Sequence, residues 1–249
     1  MVNKPSRVAE LIAFAVRLER ERTLRPAEAR QAAGRFQFAA QQVFGKAAAP
    51  LMRVLHRQGA AVSPQFVDPD LPRIVADLAH ILAKKPDRRC RIHRRPPVHV
   101  FTDGACEEGA PATAGGMIYD PESGTREFFA YHVPEDVVTR WLSERGQIIN
   151  QVELHPVAAS VKTFRHVIAG RDVIFWIDNE SARFGLIRGS SPVPASQELI
   201  SFTWGDLAEL EAYPWYERVP SSGNPADAPS REELAELLAA GWKQVKPLV

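Results

Sequence analysis

Four acidic residues stand out because each lies at the boundary of a predicted structural element. They are Asp103 in VHVFTDGA, Glu153 in INQVELHPVAAS, Asp178 in VIFWIDNESA and Asp227 in VPSSGNPADAPSR. Two of them end apolar, strand-like segments, Glu153 opens a predicted helix, and Asp227 lies in a loop before the last predicted helix. If the fold brings them to one sheet edge, their oxygens form a site of the kind that Mg²⁺ prefers. Two such ions can hold both the attacking and the leaving oxygen of a phosphate displacement.

Each acid also has an ordinary structural explanation. Asp103 precedes a glycine, and Asp-Gly is a common turn pair. Glu153 is placed where the helix dipole favours an exposed acid. Asp178 can cap the helix that follows it, as can the neighbouring Asn179. Asp227 fits a turn in a proline-rich loop. The metal-ligand interpretation is favoured because all four acids occur together on suitable elements.

Apolar periodicity predicts a helical first part and a mixed second part. The predicted helices of the first part cover residues 6–22, 26–44, 50–58 and 73–85. The predicted strands of the second part cover residues 98–103, 114–120, 125–133, 171–178 and 214–220. Helices are predicted over residues 134–146, 153–168, 179–189, 195–211 and 231–242. Residues 147–151 are expected to be extended, strand 171–178 to be buried on both faces, and Ser230 to cap the last helix with Glu233 in a capping box.

Charge divides the chain at the same place as the predicted elements. Residues 1–97 contain 19 Lys/Arg and 8 Asp/Glu, whereas residues 98–249 contain 12 and 22, so the formal charges are +11 and −10. We therefore predict three regions, which are a helical region (1–86), a basic linker (87–97) and an α/β domain (98–249). The linker holds five arginines that we expect to contact phosphates: Arg88, Arg89, Arg91, Arg94 and Arg95. A solvated linker and a solvated helical surface are the alternatives.

The remaining composition narrows the class of protein. Cys90 and Cys106 have no metal-ligand spacing and predict no disulfide framework, which favours a reducing compartment. No apolar run approaches the length of a membrane span, and Glu10 interrupts the apolar stretch near the N-terminus, so neither a membrane protein nor a signal peptide is expected. We expect an intracellular protein, cytoplasmic or nuclear.

Five segments resemble the ribonuclease H family. They are FTDGA, AGGMIYD, the VEL at a helix start, WIDNESA and VPSSGNPADAPSR, in the family's order over roughly residues 97–240. The Asn-Pro-Ala-Asp followed by Pro-Ser-Arg resembles the ribonuclease H domain of retroelement and hepadnavirus-type reverse transcriptases. The resemblance implies a ribonuclease H-like mixed five-stranded sheet flanked by helices. It also implies that Asp103, Glu153, Asp178 and Asp227 are the metal-binding, catalytic carboxylates.

The same resemblance implies an activity and partners. The expected activity is hydrolysis of the RNA strand of an RNA–DNA hybrid with two Mg²⁺ ions, which Mn²⁺ can replace. The helical region before residue 86 resembles a thumb or connection region, but the chain has no Tyr-x-Asp-Asp polymerase motif, so a polymerase core supplied separately is an expected partner. A basic, Trp-containing substrate handle is also missing, because no clustered Lys or Arg surrounds Trp204 or Trp215.

Two other functions fit the same sequence. The chain can be a non-catalytic remnant of a mobile element that binds nucleic acid or another protein. It can also be a nuclease of the same fold that acts on DNA.

Overall fold

The fold is described from a computed structural model of the 249-residue chain. The structure describes residues 3–43, 45–46, 48–60, 71–84, 95–107, 110–144 and 146–249. The chain divides into two compact units, Met1–Cys90 and Arg91–Val249, which are described separately. None of the helices in the described ranges has both the length and the hydropathy needed to cross a membrane.

The first unit is helical, as the sequence predicts. Its helices are α1 (Pro5–Glu21), α2 (Pro26–Ala40), α3 (Ala49–Ala60) and α4 (Leu71–Lys84). Proline starts both α1 and α2, where its missing N–H is not needed and its fixed φ favours the helix. One buried face of each helix contributes to a shared core. The largest fully buried members of this core are Leu18, Leu24, Phe36, Leu55, Leu71 and Leu78.

The second unit contains a mixed sheet. Its strands are β1 (Val98–Ala105), β2 (Thr113–Tyr119), β3 (Arg126–His132), β4 (Asp172–Ile177), β5 (Tyr213–Arg218) and β6 (Lys243–Gln244). Their order in the sheet is β5-β4-β1-β2-β3-β6. β1, β2 and β3 are antiparallel neighbours, while β4 is parallel to β1 and β5 is parallel to β4. The ribonuclease H-like fold class is therefore confirmed, and the described sheet has one short strand, β6, beyond the five predicted.

Helices connect and cover these strands. They are α5 (Glu135–Glu144), α6 (Ile149–Thr163), α7 (Arg165–Ile168), α8 (Glu180–Arg188), α9 (Pro194–Glu209), α10 (Asp227–Ser230) and α11 (Ala235–Ala239). A single 3₁₀ turn, Ser221–Gly223, precedes α10. The main core lies on the face of the sheet that carries α6 and α9, where Val100, Phe129, Val157, Phe175 and Ile200 are fully buried. Leu234, Leu237 and Trp242 pack with Met117 and Phe128 on the opposite face.

Three local predictions are wrong. Residues 147–151 are not an extended segment, because α6 already begins at Ile149 and buries Gln151 and Val152. β4 is not buried on both faces, since Val173, Phe175 and Ile177 are buried while the alternate residues are only half-buried. Ser230 does not cap the last helix: it ends α10, and α11 starts at Ala235. Burial of Gln151 and Val152 favours the helix in the first case, and in the third the Ser230 hydroxyl hydrogen-bonds the Asp227 carbonyl within α10.

Candidate functional site

The structure brings three of the four acids together. One carboxylate oxygen each from Asp103, Glu153 and Asp178 lies within 4.8 Å of the other two. Asp103 and Glu153 are buried, and Asp178 is half-buried. The three side chains come from three elements that are far apart in the sequence, so their proximity depends on the tertiary fold.

Parallel pairing explains how Asp103 and Asp178 meet. β1 and β4 are neighbours and run in the same direction, so their carboxyl ends reach the same edge of the sheet. Asp103 lies near the end of β1, opposite Gly115 of β2, and Asp178 directly follows β4. Side chains alternate between the two faces of a strand, and Phe101 and Trp176, each two residues before one of these acids, stack on each other. The two acids therefore project from the same face.

Glu153 reaches this edge because β1 and α6 approach each other closely at Gly104. A Cβ atom on Gly104 would lie only 2.4 Å from the carbonyl oxygen of Val152 and 3.0 Å from the backbone nitrogen of Glu153. The N–H of Gly104 donates a hydrogen bond to the Glu153 carboxylate. Pro156 has no N–H to donate to the Val152 carbonyl, which leaves this turn of α6 open to the strand. Glycine at position 104 thus sets the position of Glu153.

Asn179, the residue after Asp178, contacts Glu153. Its Oδ1 accepts a hydrogen bond from the N–H of Ala182 and caps α8, as the sequence allowed. Its side-chain amide also donates a hydrogen bond to the Glu153 carboxylate. Asn179 therefore joins the start of α8 to the acid cluster, a second role that the sequence did not indicate.

The loop before α11 supplies two donors to Asp103. The side-chain amide of Asn224 donates to the Thr102 carbonyl at 3.0 Å and points to Asp103 Oδ1 at 3.4 Å. The Ser230 hydroxyl hydrogen-bonds Asp103 Oδ2. This loop lies against β2 at Gly115, where a Cβ atom would be 2.5 Å from the backbone nitrogen of Ser230. The motif of this segment does not reveal the two donors from the sequence alone, because Asp103 precedes them by more than a hundred residues.

Asp227 lies outside the three-acid cluster. Its side chain is 46% exposed, and its Oδ1 accepts a hydrogen bond from Arg231 Nε at 2.9 Å. It is nevertheless close enough that its charge raises the pKa of Asp103. The fourth predicted ligand is thus beside the site and paired with a cation.

Burial and mutual repulsion make the cluster reluctant to carry its full negative charge. Burial, followed by the charges of Asp178 and Asp103, raises the pKa of Glu153 from 4.5 to about 9. Burial also raises the pKa of Asp103, although the hydrogen bond from Ser230 opposes this effect. Such clusters of like charge accept either a proton or a cation.

The donor set fits a divalent cation better than a proton. Glu153 is only 7% exposed, yet its Oε2 has no hydrogen-bond partner among the described residues, and neither does the buried Oδ1 of Asp178. Native proteins rarely leave buried polar atoms unpaired, and an ion is one common reason when they do. Carboxylate oxygens are also the hard ligands that Mg²⁺ and Mn²⁺ favour. The three residues could therefore hold a metal ion through oxygens already directed at one another.

The remaining predicted binding residues are the linker arginines. Arg95 is exposed and forms an ion pair with Glu122, with its Nε 2.5 Å from Oε2. Arg88, Arg89, Arg91 and Arg94 lie outside the described residues. Their contact with phosphate stays a prediction.

Nearby aromatic residues have structural roles. His155, two residues after Glu153, packs against Trp141 and hydrogen-bonds the Tyr131 hydroxyl. Burial lowers the pKa of His155 to about 4. Trp204 is buried and donates from Nε1 to the Leu186 carbonyl, so it is part of the core, whereas Trp215 is 65% exposed.

Comparisons with known proteins give only structural similarity. No family model matches the chain, and no curated protein matches it. RNase H1 from the halophilic archaeon Halobacterium salinarum NRC-1 is 18% identical, covering 57% of this chain and 99% of its own, with a TM-score of 0.43. LC11-RNase H1, isolated from compost by a metagenomic approach, is 16% identical, covering 57% and 98%, with a TM-score of 0.46.

A third solved structure gives the same degree of similarity. It is the N-terminal RNase H domain of a Mycobacterium tuberculosis protein, solved as a fusion with maltose-binding protein. It is 14% identical, covering 58% of this chain and 98% of its own, with a TM-score of 0.39. Identities this low carry no activity over to this chain.

Proposed function

We propose that the protein is a metal-dependent endonuclease that hydrolyses the RNA strand of RNA–DNA hybrids. One observation carries the proposal: three acids from β1, α6 and the end of β4 converge, and two of their buried oxygens have no donor among the described residues. The predicted fold class and the order of the acid-bearing elements support it.

In this proposal the chain holds two Mg²⁺ ions, or Mn²⁺ in their place. Asp103, Glu153 and Asp178 would be three of the ligands, and Asp227 would be the fourth. Two ions held by these carboxylates would supply Lewis-acid activation of a water molecule and charge stabilisation at the leaving 3′ oxygen. The carboxylates act as ligands and no side-chain nucleophile is needed.

The chain's other residues orient these ligands. Asn224 and Ser230 fix the Asp103 carboxylate, while Asn179 and the N–H of Gly104 fix that of Glu153. Hydrogen bonds of this kind hold a ligand in one orientation. Their loss commonly weakens metal affinity by about 10–100-fold. The four donors are thus expected to matter almost as much as the acids.

Affinity for the hybrid is proposed to come mainly from the basic part of the chain. Residues 1–97 carry a formal charge of +11, and residues 98–249 carry −10. Each phosphate neutralised on B-DNA contributes about −0.9 to the slope of log affinity against log salt, and we expect a similar value for a hybrid. RNA is expected to be selected through contacts with 2′-hydroxyl groups.

Substituting glutamine for all five linker arginines, Arg88, Arg89, Arg91, Arg94 and Arg95, tests their part in binding. We expect weaker hybrid binding and a shallower salt slope. An unchanged slope would assign the arginines to the solvated-linker alternative.

We also propose that the chain comes from a retroelement reverse transcriptase. The Asn-Pro-Ala-Asp and Pro-Ser-Arg residues of VPSSGNPADAPSR support this origin, together with the helical unit that precedes the sheet. It implies a separately supplied polymerase core as a partner, and the composition favours an intracellular location. A polymerase reading frame with a Tyr-x-Asp-Asp motif beside this one in the genome is the observation to seek.

A cleavage assay tests the activity and separates the alternatives. The full chain is incubated with Mg²⁺ and labelled RNA–DNA hybrid, duplex RNA or duplex DNA, and the Asp178→Asn variant controls for contaminating ribonuclease. We expect cleavage of the hybrid RNA strand alone, abolished by chelator. Cleavage of DNA would favour the DNA nuclease, and hybrid binding without cleavage would favour the non-catalytic remnant.

A further inference from the structure

Arg231 is a cationic side chain placed beside the acid cluster. Its Nε donates to Asp227 Oδ1 at 2.9 Å, and its Nη1 lies 3.6 Å from Glu107 Oε1. Burial raises the pKa of Asp103, and the charge of Arg231 opposes this rise. The side chain is 49% exposed, so a substrate arriving from solvent can reach it.

The backbone that carries Arg231 is fixed, but the side chain is not enclosed. The preceding residue, Ser230, is fully buried and hydrogen-bonds both Asp103 and the Asp227 carbonyl. Gly115 of β2 lets this turn lie directly on the sheet. The backbone of Arg231 is therefore held near Asp103, while its long side chain can change partners.

We propose that Arg231 exchanges Asp227 for a backbone phosphate of the nucleic acid when divalent cations bind. In the metal-free protein it neutralises Asp227 and holds it outside the three-acid cluster. Once Asp227 joins the metal site, the guanidinium is released toward solvent at the edge of that site. A planar guanidinium binds a phosphate through two parallel hydrogen bonds, which suits a phosphodiester strand lying across the acids. This inference rests on the proposed function.

A purely structural role makes different predictions. If Arg231 only stabilised the turn of α10 through its ion pair, replacing it would loosen the loop that holds Asp103. Metal binding would then weaken. Under partner exchange, removing Arg231 frees Asp227, so metal binding becomes stronger while substrate binding becomes weaker. The opposite signs distinguish the two roles.

The first measurement is calorimetric titration of the full-length Arg231→Gln protein with Mn²⁺ in the absence of nucleic acid. We expect the weaker of two binding events to tighten by about two- to fivefold, the range that an exposed ion pair supplies. Arg140→Gln is the matched control, because Arg140 also forms an exposed ion pair, with Glu198 at 3.2 Å. Unchanged or weaker Mn²⁺ binding by Arg231→Gln would overturn the inference.

The second measurement is steady-state cleavage of the hybrid. We expect Arg231→Gln to raise KM about tenfold with kcat within about threefold, because a contact present in both ground and transition states affects binding alone. The salt slope of hybrid binding should fall by about 0.9, and Arg231→Lys should recover part of the KM. An unchanged KM in a chain whose wild type cleaves would also overturn the inference. If the wild type neither binds Mn²⁺ nor cleaves, the proposed function itself fails.

Discussion

Two buried carboxylates lie at opposite ends of the same sheet, and their surroundings differ completely. Asp120 follows β2 at one end and is 2% exposed, while Glu153 reaches the other end from α6 and is 7% exposed. Asp120 receives hydrogen bonds from both terminal nitrogens of Arg171, the Ser123 hydroxyl and the Glu122 N–H. Among the described residues, Glu153 has the Gly104 N–H and Asn179 as donors, and two other acids as neighbours.

The pKa values of the two carboxyls diverge accordingly. Burial alone would raise the pKa of Asp120, but the donors outweigh it and lower the value to about 2. Burial and the charges of Asp178 and Asp103 raise the pKa of Glu153 to about 9. Burial is common to both sites, so it is the supply of positive partners that separates them. The Asp120 carboxylate is paired with Arg171, whereas the Glu153 end of the sheet brings three carboxylates together.

The largest expected effect comes from removing one charge from the acid cluster at the Glu153 end of the sheet. Asp178→Asn keeps the shape of the side chain but removes one charge from the proposed metal site, so we expect hybrid cleavage to fall by about a thousandfold or more. Stability of the metal-free protein should hold or rise, because repulsion within the cluster is relieved. Cleavage assays and urea unfolding measure both effects. Asp172→Asn, at the other end of β4, is the matched control and should keep its activity.

The second prediction concerns the buried ion pair between Arg171 and Asp120, at the other end of the sheet. Arg171→Met removes the cation from the buried Asp120, and breaking a buried pair from one side costs about 3–5 kcal/mol. The free energy of unfolding in urea measures this loss. Arg95→Met is the control, because Arg95 and Glu122 form an exposed ion pair whose loss should cost about 1 kcal/mol or less. Equal losses in the two variants would mean that Arg171 and Asp120 are not a buried anchor.

The comparison also separates what the sequence could predict from what it could not. The convergence of Asp103 and Asp178 followed from acids placed at the ends of two strands, because parallel neighbours share an edge. The position of Asp227 did not follow, since its pairing with Arg231 depends on a side-chain conformation within one short helix. The start of α6 was misjudged because the β-branched residues of QIINQ favour a strand locally, while their burial against the sheet favours a helix.

The donors to the site were the least predictable part. Ser230 and Asp103 are 127 residues apart, so no local spacing connects them. Ser230 followed by Glu233 three residues later also matches a helix-capping pattern, which offered a sufficient local explanation. Gly104 also has a sufficient local explanation, because Asp-Gly is a common turn pair. Only the close approach of α6 shows that this glycine is required.

The third prediction tests that close approach. Gly104→Ala places a methyl group against the Val152 carbonyl, where only backbone can move, so we expect a loss of about 1–3 kcal/mol in unfolding free energy. The shift separates Asp103 from Glu153, and cleavage should fall more than stability alone explains. Gly146→Ala is the control, since nothing lies within 4 Å of a Cβ there. Full activity in Gly104→Ala would mean that Glu153 is not part of the catalytic site.

The smallest expected effect is on the pH dependence of the free energy of unfolding, to which Glu153 and Asp120 contribute in opposite senses. An acid whose folded pKa is raised binds a proton in the folded state after the unfolded state has lost it, so stability falls as pH rises between the two values. For Glu153 this window runs from 4.5 to about 9. Asp120 acts in the opposite sense: its stabilising contribution is present above its ordinary value of 3.8 and is lost as pH falls toward 2.

Between pH 6 and pH 7 the Glu153 end therefore contributes a falling slope and the Asp120 end contributes none. His155, whose pKa burial lowers to about 4, contributes a rising slope in the same interval, so the test compares the wild type with a variant that keeps His155. In chelator, the change in the free energy of unfolding over this interval should be about 1 kcal/mol more negative in the wild type than in Glu153→Gln, near the 1.4 kcal/mol per unit for one proton. Mg²⁺ should remove this difference, because in the wild type the ion replaces the proton as the partner of the carboxylates. Glu236→Gln, on exposed α11, controls for the loss of a charge and should keep the slope. A slope in Glu153→Gln equal to that of the wild type would mean that another group takes up the proton, and the contrast between the two ends of the sheet would be lost.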